Sequence, residues 1–160
     1  MKNFLTEQAN KGDIDAMYKL GELLLSEDEM QAKKYIVKAA EKNYLPALIL
    51  SAKISQEERN FAKALEFYQK AAEFGDVKSM EEIVNMCEAG EGVKENDSEI
   101  LDEVLKIIEK NYNNIYSTTD FFGRTFYLGS RRNEEYTPQY SQAIERRRIA
   151  NRIRKLKLNG

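Results

Sequence analysis

The chain has no histidine and a single cysteine, Cys87, among its 160 residues. Ser-His, Cys-His and His-ligand chemistry are therefore excluded at once. Carboxylates, Lys, Tyr and one thiol are the only groups left that could catalyse. Cys87 stands among apolar residues, where a thiol behaves as a small hydrophobe and resists ionisation. It cannot form an internal disulfide, which fits a reducing compartment. Gly90-x-Gly92 is too short for a dinucleotide or P-loop fingerprint, and no strand is expected before it, so phosphate cradling lacks a scaffold. The surrounding Glu88, Glu91, Glu95, Asp97 and Glu99 miss the alternate-position spacing of an EF-hand loop and read as a solvated edge. No catalytic residue, metal or cofactor is expected.

Charge is the next feature that could do chemistry, and it is unevenly spread. Residues 1–114 carry 15 basic and 23 acidic side chains, whereas 115–160 carry 10 basic and 4 acidic. Such a two-ended chain can orient a partner from a distance, or its basic end can pack on its own acidic body. The run from Glu145 to Lys157 concentrates the positive charge. On a helix over 141–156, Ala143, Ile149, Ala150, Ile153 and Leu156 make an apolar stripe, with Arg146, Arg147, Arg152, Arg154 and Lys155 largely facing water. The first reading is a capping helix docked on an acidic body. The alternative is a nucleic-acid grip through Arg146, Arg147, Arg152 and Arg154. Against the alternative stand a sequence pI near 5.5 and the lack of any reader motif. A membrane-surface role is disfavoured, because the apolar stripe lacks Trp and Phe. The N-terminus turns polar after Phe4-Leu5 and offers no export core, and no uncharged stretch approaches a membrane span. A cytoplasmic address is expected.

Internal self-similarity shows which elements must position these groups. Lys38-Ala39-Ala40-Glu41-Lys42-Asn43-Tyr44 returns 32 residues later as Lys70-Ala71-Ala72-Glu73-Phe74-Gly75-Asp76. It returns again as Lys106-Ile107-Ile108-Glu109-Lys110-Asn111-Tyr112. Gln8-Ala9-Asn10-Lys11-Gly12-Asp13 fits the same slot. Gly12, Asn43, Gly75 and Asn111 then share one position, and Gly and Asn are the residues that best tolerate a left-handed helix cap. After each cap a helix begins: Ala16-x3-Leu20-Gly21-x2-Leu24, Ala47-x3-Ser51-Ala52-x2-Ser55, Ser79-x3-Ile83-Val84-x2-Cys87 and Thr118-x3-Phe122-Gly123-x2-Phe126. Small residues at Gly21, Ala52 and Gly123 would let helices approach closely. Helices are expected near 2–10, 14–25, 29–42, 46–57, 60–74, 77–89, 98–110, 117–128 and 141–156, with a long connection over 129–140.

These motifs, and Gly90-x-Gly92-Val93 with the two Lys-Ala-Ala endings above all, resemble the Sel1-like repeat, a relative of the tetratricopeptide repeat. The resemblance implies an all-α, right-handed α/α solenoid of about four helical hairpins in one domain over 1–160. Its units run approximately 13–43, 44–75, 76–111 and 115–157. The Gly-x-Gly-Val loop is absent from the first two units, and the usual Tyr is replaced by Leu24, Ser55, Cys87 and Phe126. The resemblance further implies a non-enzymatic adaptor whose concave face is lined by Tyr18 and its equivalents or neighbours Glu22, Ile49, Lys53, Glu81, Glu82, Asn85 and Arg124. An aromatic, an aliphatic and mixed charges are what a protein partner needs. Size and an acidic body also suit a bacterial immunity protein that covers a basic toxin.

Overall fold

The computed structural model describes residues 1–93, 97–115 and 138–159. Among them the chain is all helix, without a strand: α1 (Lys2–Asn10), α2 (Ile14–Leu24), α3 (Glu29–Glu41), α4 (Leu45–Glu57), α5 (Phe61–Glu73), α6 (Val77–Ala89), α7 (Ser98–Ile115) and α8 (Pro138–Asn159). Consecutive helices pack on one another from α1 to α6, and α8 packs against both α6 and α7. The expected helix 117–128, with Gly123 and Arg124, lies outside the described residues.

The shared cap position works as a chain reversal. Gly12, Asn43 and Gly75 have φ of 97°, 59° and 87°. Each sits inside the same pair of backbone hydrogen bonds: at the second turn Tyr44 N donates to Ala39 O (3.2 Å) and Asn43 N to Ala40 O (2.8 Å). This is the paired closure of a helix ended by a left-handed residue. In the first and third turns the next residue at once caps the following helix, with Asp13 accepting from Ala16 N at 2.9 Å and Asp76 from Ser79 N at 2.8 Å. Asn111 does not cap, because α7 continues to Ile115. With Leu101, Val104 and Ile108 buried along α7 and neither Gly nor Pro before Ile115, the helix runs past that position. Conversely, Arg59 takes φ of 60° at the end of α4, where the residue type gives no sign of it.

Small residues set the helix spacing. A methyl placed on Gly21 would come within 2.5 Å of Ile36 Cγ1 and 3.2 Å of Ala32 O, so α2 and α3 meet at glycine-only distance. Ala39, Ala40, Ala52, Ala71 and Ala72 are buried in the same stack. Gly90 is the left-handed cap of α6, and Gly92 lies so close to the start of α5 that a methyl would be 2.7 Å from the Phe61 carbonyl carbon. The Gly-x-Gly pair is thus loop geometry, and Cys87 beside it is buried, its thiol pushed up to about 11 by burial.

One buried set recurs in every first helix of a pair. It is Met17, Leu20, Gly21 and Leu24 in α2, Leu48, Ser51, Ala52 and Ser55 in α4, and Met80, Ile83, Val84 and Cys87 in α6. α8 buries Arg146, Ile149, Ala150 and Ile153 at the same spacing. Its direction follows from its contacts: Arg146 reaches Gly75 before α6, Arg152 reaches Asn85 and Glu88 near the end of α6, and Lys157 meets Asp102 early in α7. α8 therefore runs parallel to α6 and antiparallel to α7.

Candidate protein-binding face

The repeat spacing puts Tyr18, Ile49 and Glu81 at one register of the three first helices, and Glu22, Lys53 and Asn85 at a second. The structure brings three of the expected residues into one groove. Tyr18 of α2 and Leu45, Pro46, Ile49, Leu50 and Lys53 of α4 line a cavity of about 340 Å³. Tyr18 packs against Tyr44 with ring centroids 5.4 Å apart and planes tilted by 59°. Each phenol donates to a carboxylate on α2: Tyr18 Oη to Glu22 Oε1 at 2.7 Å, and Tyr44 Oη to Asp15 Oδ1 at 2.9 Å. Burial, and then the hydrogen bond to Glu22, push the Tyr18 hydroxyl up to about 12, so it stays neutral. Hydrogen bonds from Lys19 and Tyr44 hold the Asp15 carboxyl below its ordinary range. Lys19 pairs with Asp15 at 2.6 Å. Among the described residues Glu22 and Lys53 have no partner of opposite charge within ion-pair distance.

Tyr44, Leu45, Pro46 and Leu50 escaped the sequence reading of this surface. A usable signal was present: shifting by 31 residues maps Leu45, Pro46 and Leu50 onto Ile14, Asp15 and Lys19, so α4 is apolar where α2 is largely polar. Tyr44 precedes its helix, and a helical period does not predict its ring contact with Tyr18.

Glu81, Glu82 and Asn85 do not join the groove; they lie half-buried on α6, where α8 seats. Arg152 donates to Asn85 Oδ1 and Glu88 Oε1, both at 2.9 Å, and forms a second bond to the other Glu88 oxygen. Asn85 Nδ2 in turn donates to Glu82 at 3.3 Å. The expectation that the basic residues largely face water therefore fails for two of them. Arg152 is committed to α6, and Arg146 is only 6% exposed, with Nη2 donating to Gly75 O at 3.1 Å and Nε without a partner among the described residues. The physical reason is the long aliphatic stem of arginine, which fills an apolar slot while its head seeks a carbonyl or carboxylate. Arg147 is exposed, as is Arg154, which lies 3.9 Å from Glu109. The apolar stripe is as expected, with Ala143, Ile149, Ala150 and Ile153 buried. No group of three or more acidic or cysteine side chains suited to a metal occurs among the described residues. None of the described helices is long and apolar enough to cross a membrane.

Helical hairpins stacked through small residues, closed by left-handed caps and presenting a groove between successive first helices, define an α/α solenoid. No family model matches the sequence, and no curated protein matches it. Solved structures do. A Sel1 repeat protein from Oxalobacter formigenes is 25% identical at a TM-score of 0.60, over 68% of this chain and 49% of that one. The protein c5321, a protective antigen present in uropathogenic Escherichia coli strains and displaying an SLR fold, is 22% identical. It aligns over 96% of this chain and 36% of its own, with a TM-score of 0.55. The chain spans about half the length of the first and about a third of the second. With its repeats and its architecture in agreement, the chain has the fold of Sel1-like repeat proteins. Such proteins generally mediate protein–protein interaction and are typically not enzymes.

Proposed function

We propose that this chain is a protein-binding scaffold whose contact surface is the first-helix face of its solenoid, centred on the groove between α2 and α4. The observation that carries this reading is the preformed apolar floor of Leu45, Pro46, Ile49 and Leu50 beside the Tyr18 ring. An aromatic anchor next to an apolar slot with a polar rim is the composition of an interface centre, and a rigid helical frame spares the cost of ordering it. In its finer form, the partner is a basic protein, drawn by the acidic excess of residues 1–114, and the scaffold acts as a cytoplasmic bacterial immunity protein covering a toxin. The nucleic-acid alternative rests on Arg147 and Arg154 once Arg146 and Arg152 are committed within the fold.

The test is cross-linked capture of partners in the native host with the wild type, Tyr18→Ala and Ile49→Asp. Loss of the same captured protein in both variants, with unchanged melting temperatures, is the expected result. Identical capture by all three would sink the groove as the contact surface. A toxin among the captured proteins would support the finer form, and a duplex-dependent capture abolished by Arg147→Gln with Arg154→Gln would favour nucleic acid.

A further inference from the structure

Two opposite, unpaired charges bracket the groove. Glu22 accepts the Tyr18 hydroxyl but meets no cation among the described residues, and Lys53, one unit along at the equivalent register, meets no carboxylate. On α2 itself Lys19 does pair, with the Asp15 carboxylate four residues before it. Beside Lys53 on α4 lies the apolar floor of Ile49, Leu45 and Leu50. Beside Glu22 stand the tilted rings of Tyr18 and Tyr44, both hydroxyls turned to carboxylates. A planar guanidinium can stack on a tyrosine face and pair with an adjacent carboxylate at once, which an ammonium does less well. We propose that the groove takes an extended partner segment in which an arginine meets Glu22 and the Tyr18 ring, aliphatic residues fill the floor, and an acidic residue meets Lys53.

The spacing is set by the solenoid. Neighbouring helix axes lie on the order of 10 Å apart. An extended chain rises about 3.3 Å per residue, so the arginine and the acidic residue stand about three positions apart. Charge complementarity thus fixes register while the apolar floor supplies contact area. This inference rests on the scaffold reading and narrows it to one partner chemistry.

The experiment uses the whole chain with labelled tyrosine rings, and capped octapeptides carrying the core Arg-Leu-Ile-Glu in both chain orders. Companion peptides have Gln in place of Arg, of Glu, or of both. Chemical shifts of the Tyr18 and Tyr44 rings report binding. The doubly charged peptide should bind about three- to tenfold more tightly than the doubly neutral one, as two exposed charge pairs would allow. Glu22→Gln should erase only the gain from the arginine, and Lys53→Gln only the gain from the glutamate. Equal affinity of all peptides, the same loss with every peptide in both variants, or no ring shifts at all would overturn the inference. If the captured partner is still lost in Ile49→Asp, the scaffold reading survives that outcome; if capture is unchanged there, both fall.

Discussion

The two ends of the solenoid are held together by different forces. From α2 to α5 the helices meet through Gly21, Ala39, Ala40, Ala52, Ala71 and Ala72, and most ion pairs there sit within one helix at the surface. At the other end α8 is joined to its neighbours by Arg152 on Asn85 and Glu88, Lys157 on Asp102, Arg154 near Glu109 and Arg146 on Gly75 O, with Ile149 and Ile153 beneath. The first region depends on shape and the second on charge as well. Substitutions that change volume should therefore strike the first, and changes of ionic strength the second.

Gly21→Leu should have the largest effect. The new side chain would meet Ile36 and the Ala32 carbonyl, and overpacking of a site this tight should cost about 3 kcal/mol in a denaturant melt. A neutral result would show that α2 and α3 can separate. Ala40→Leu and Ala72→Leu, at fully buried positions, should each cost about 2 kcal/mol by the same mechanism. Arg146→Met goes the other way. It restores the residue type found at Met17 and Met80, removes a buried guanidinium whose Nε has no partner among the described residues, and should stabilise by about 1 to 2 kcal/mol. A clear loss instead would mean that the bond to Gly75 O outweighs desolvation.

Arg152→Gln should cost about 1 kcal/mol at low salt, because the pair with Glu88 is about a third exposed and partly screened. That loss should shrink toward zero by about 0.5 M salt, and a salt-independent loss would assign the residue to packing. Last comes Tyr18. Its folded-state hydroxyl titrates near 12 against an ordinary value of 10, so the folded protein holds this proton more firmly than the unfolded chain. The associated stability is complete below pH 10 and is lost as pH rises through 10 to 12. Tyr18→Phe should flatten that part of the alkaline stability profile, as seen by melts from pH 9 to 12. An unchanged slope would place the effect elsewhere, on Tyr68 first, whose hydroxyl burial also pushes up to about 12.

How much of this was legible depended on whether a residue type carries its own backbone or packing demand. Gly12, Asn43 and Gly75 announce left-handed caps because few other residues adopt that conformation without strain, and the 31- and 32-residue spacing then gives the stacking. Arg59 adopts the same conformation without such a mark, and Asn111 carries the mark inside a continuing helix. The approach of Gly92 to Phe61 and Ala62 joins segments about 30 residues apart, which no local pattern encodes. Tyr18, Ile49 and Lys53, linked by their register, line one cavity. Glu81 and Asn85 share that register, with Glu82 beside them, but lie where α8 seats, since the direction of α8 follows from Arg146 and Arg152 reaching inward. Polar type alone suggested the reverse.

The guanidinium at position 146 also has a consequence in time. A cation held out of water, its Nε unmatched among the described residues, makes the seat of α8 a costly part of the fold to keep closed. Amide hydrogens of α8 should then exchange with solvent through a partial opening that releases this helix alone. Those of α3 and α4, clamped on both sides, should wait for global unfolding. The molecule would thus breathe from its basic end, on a clock set by one arginine.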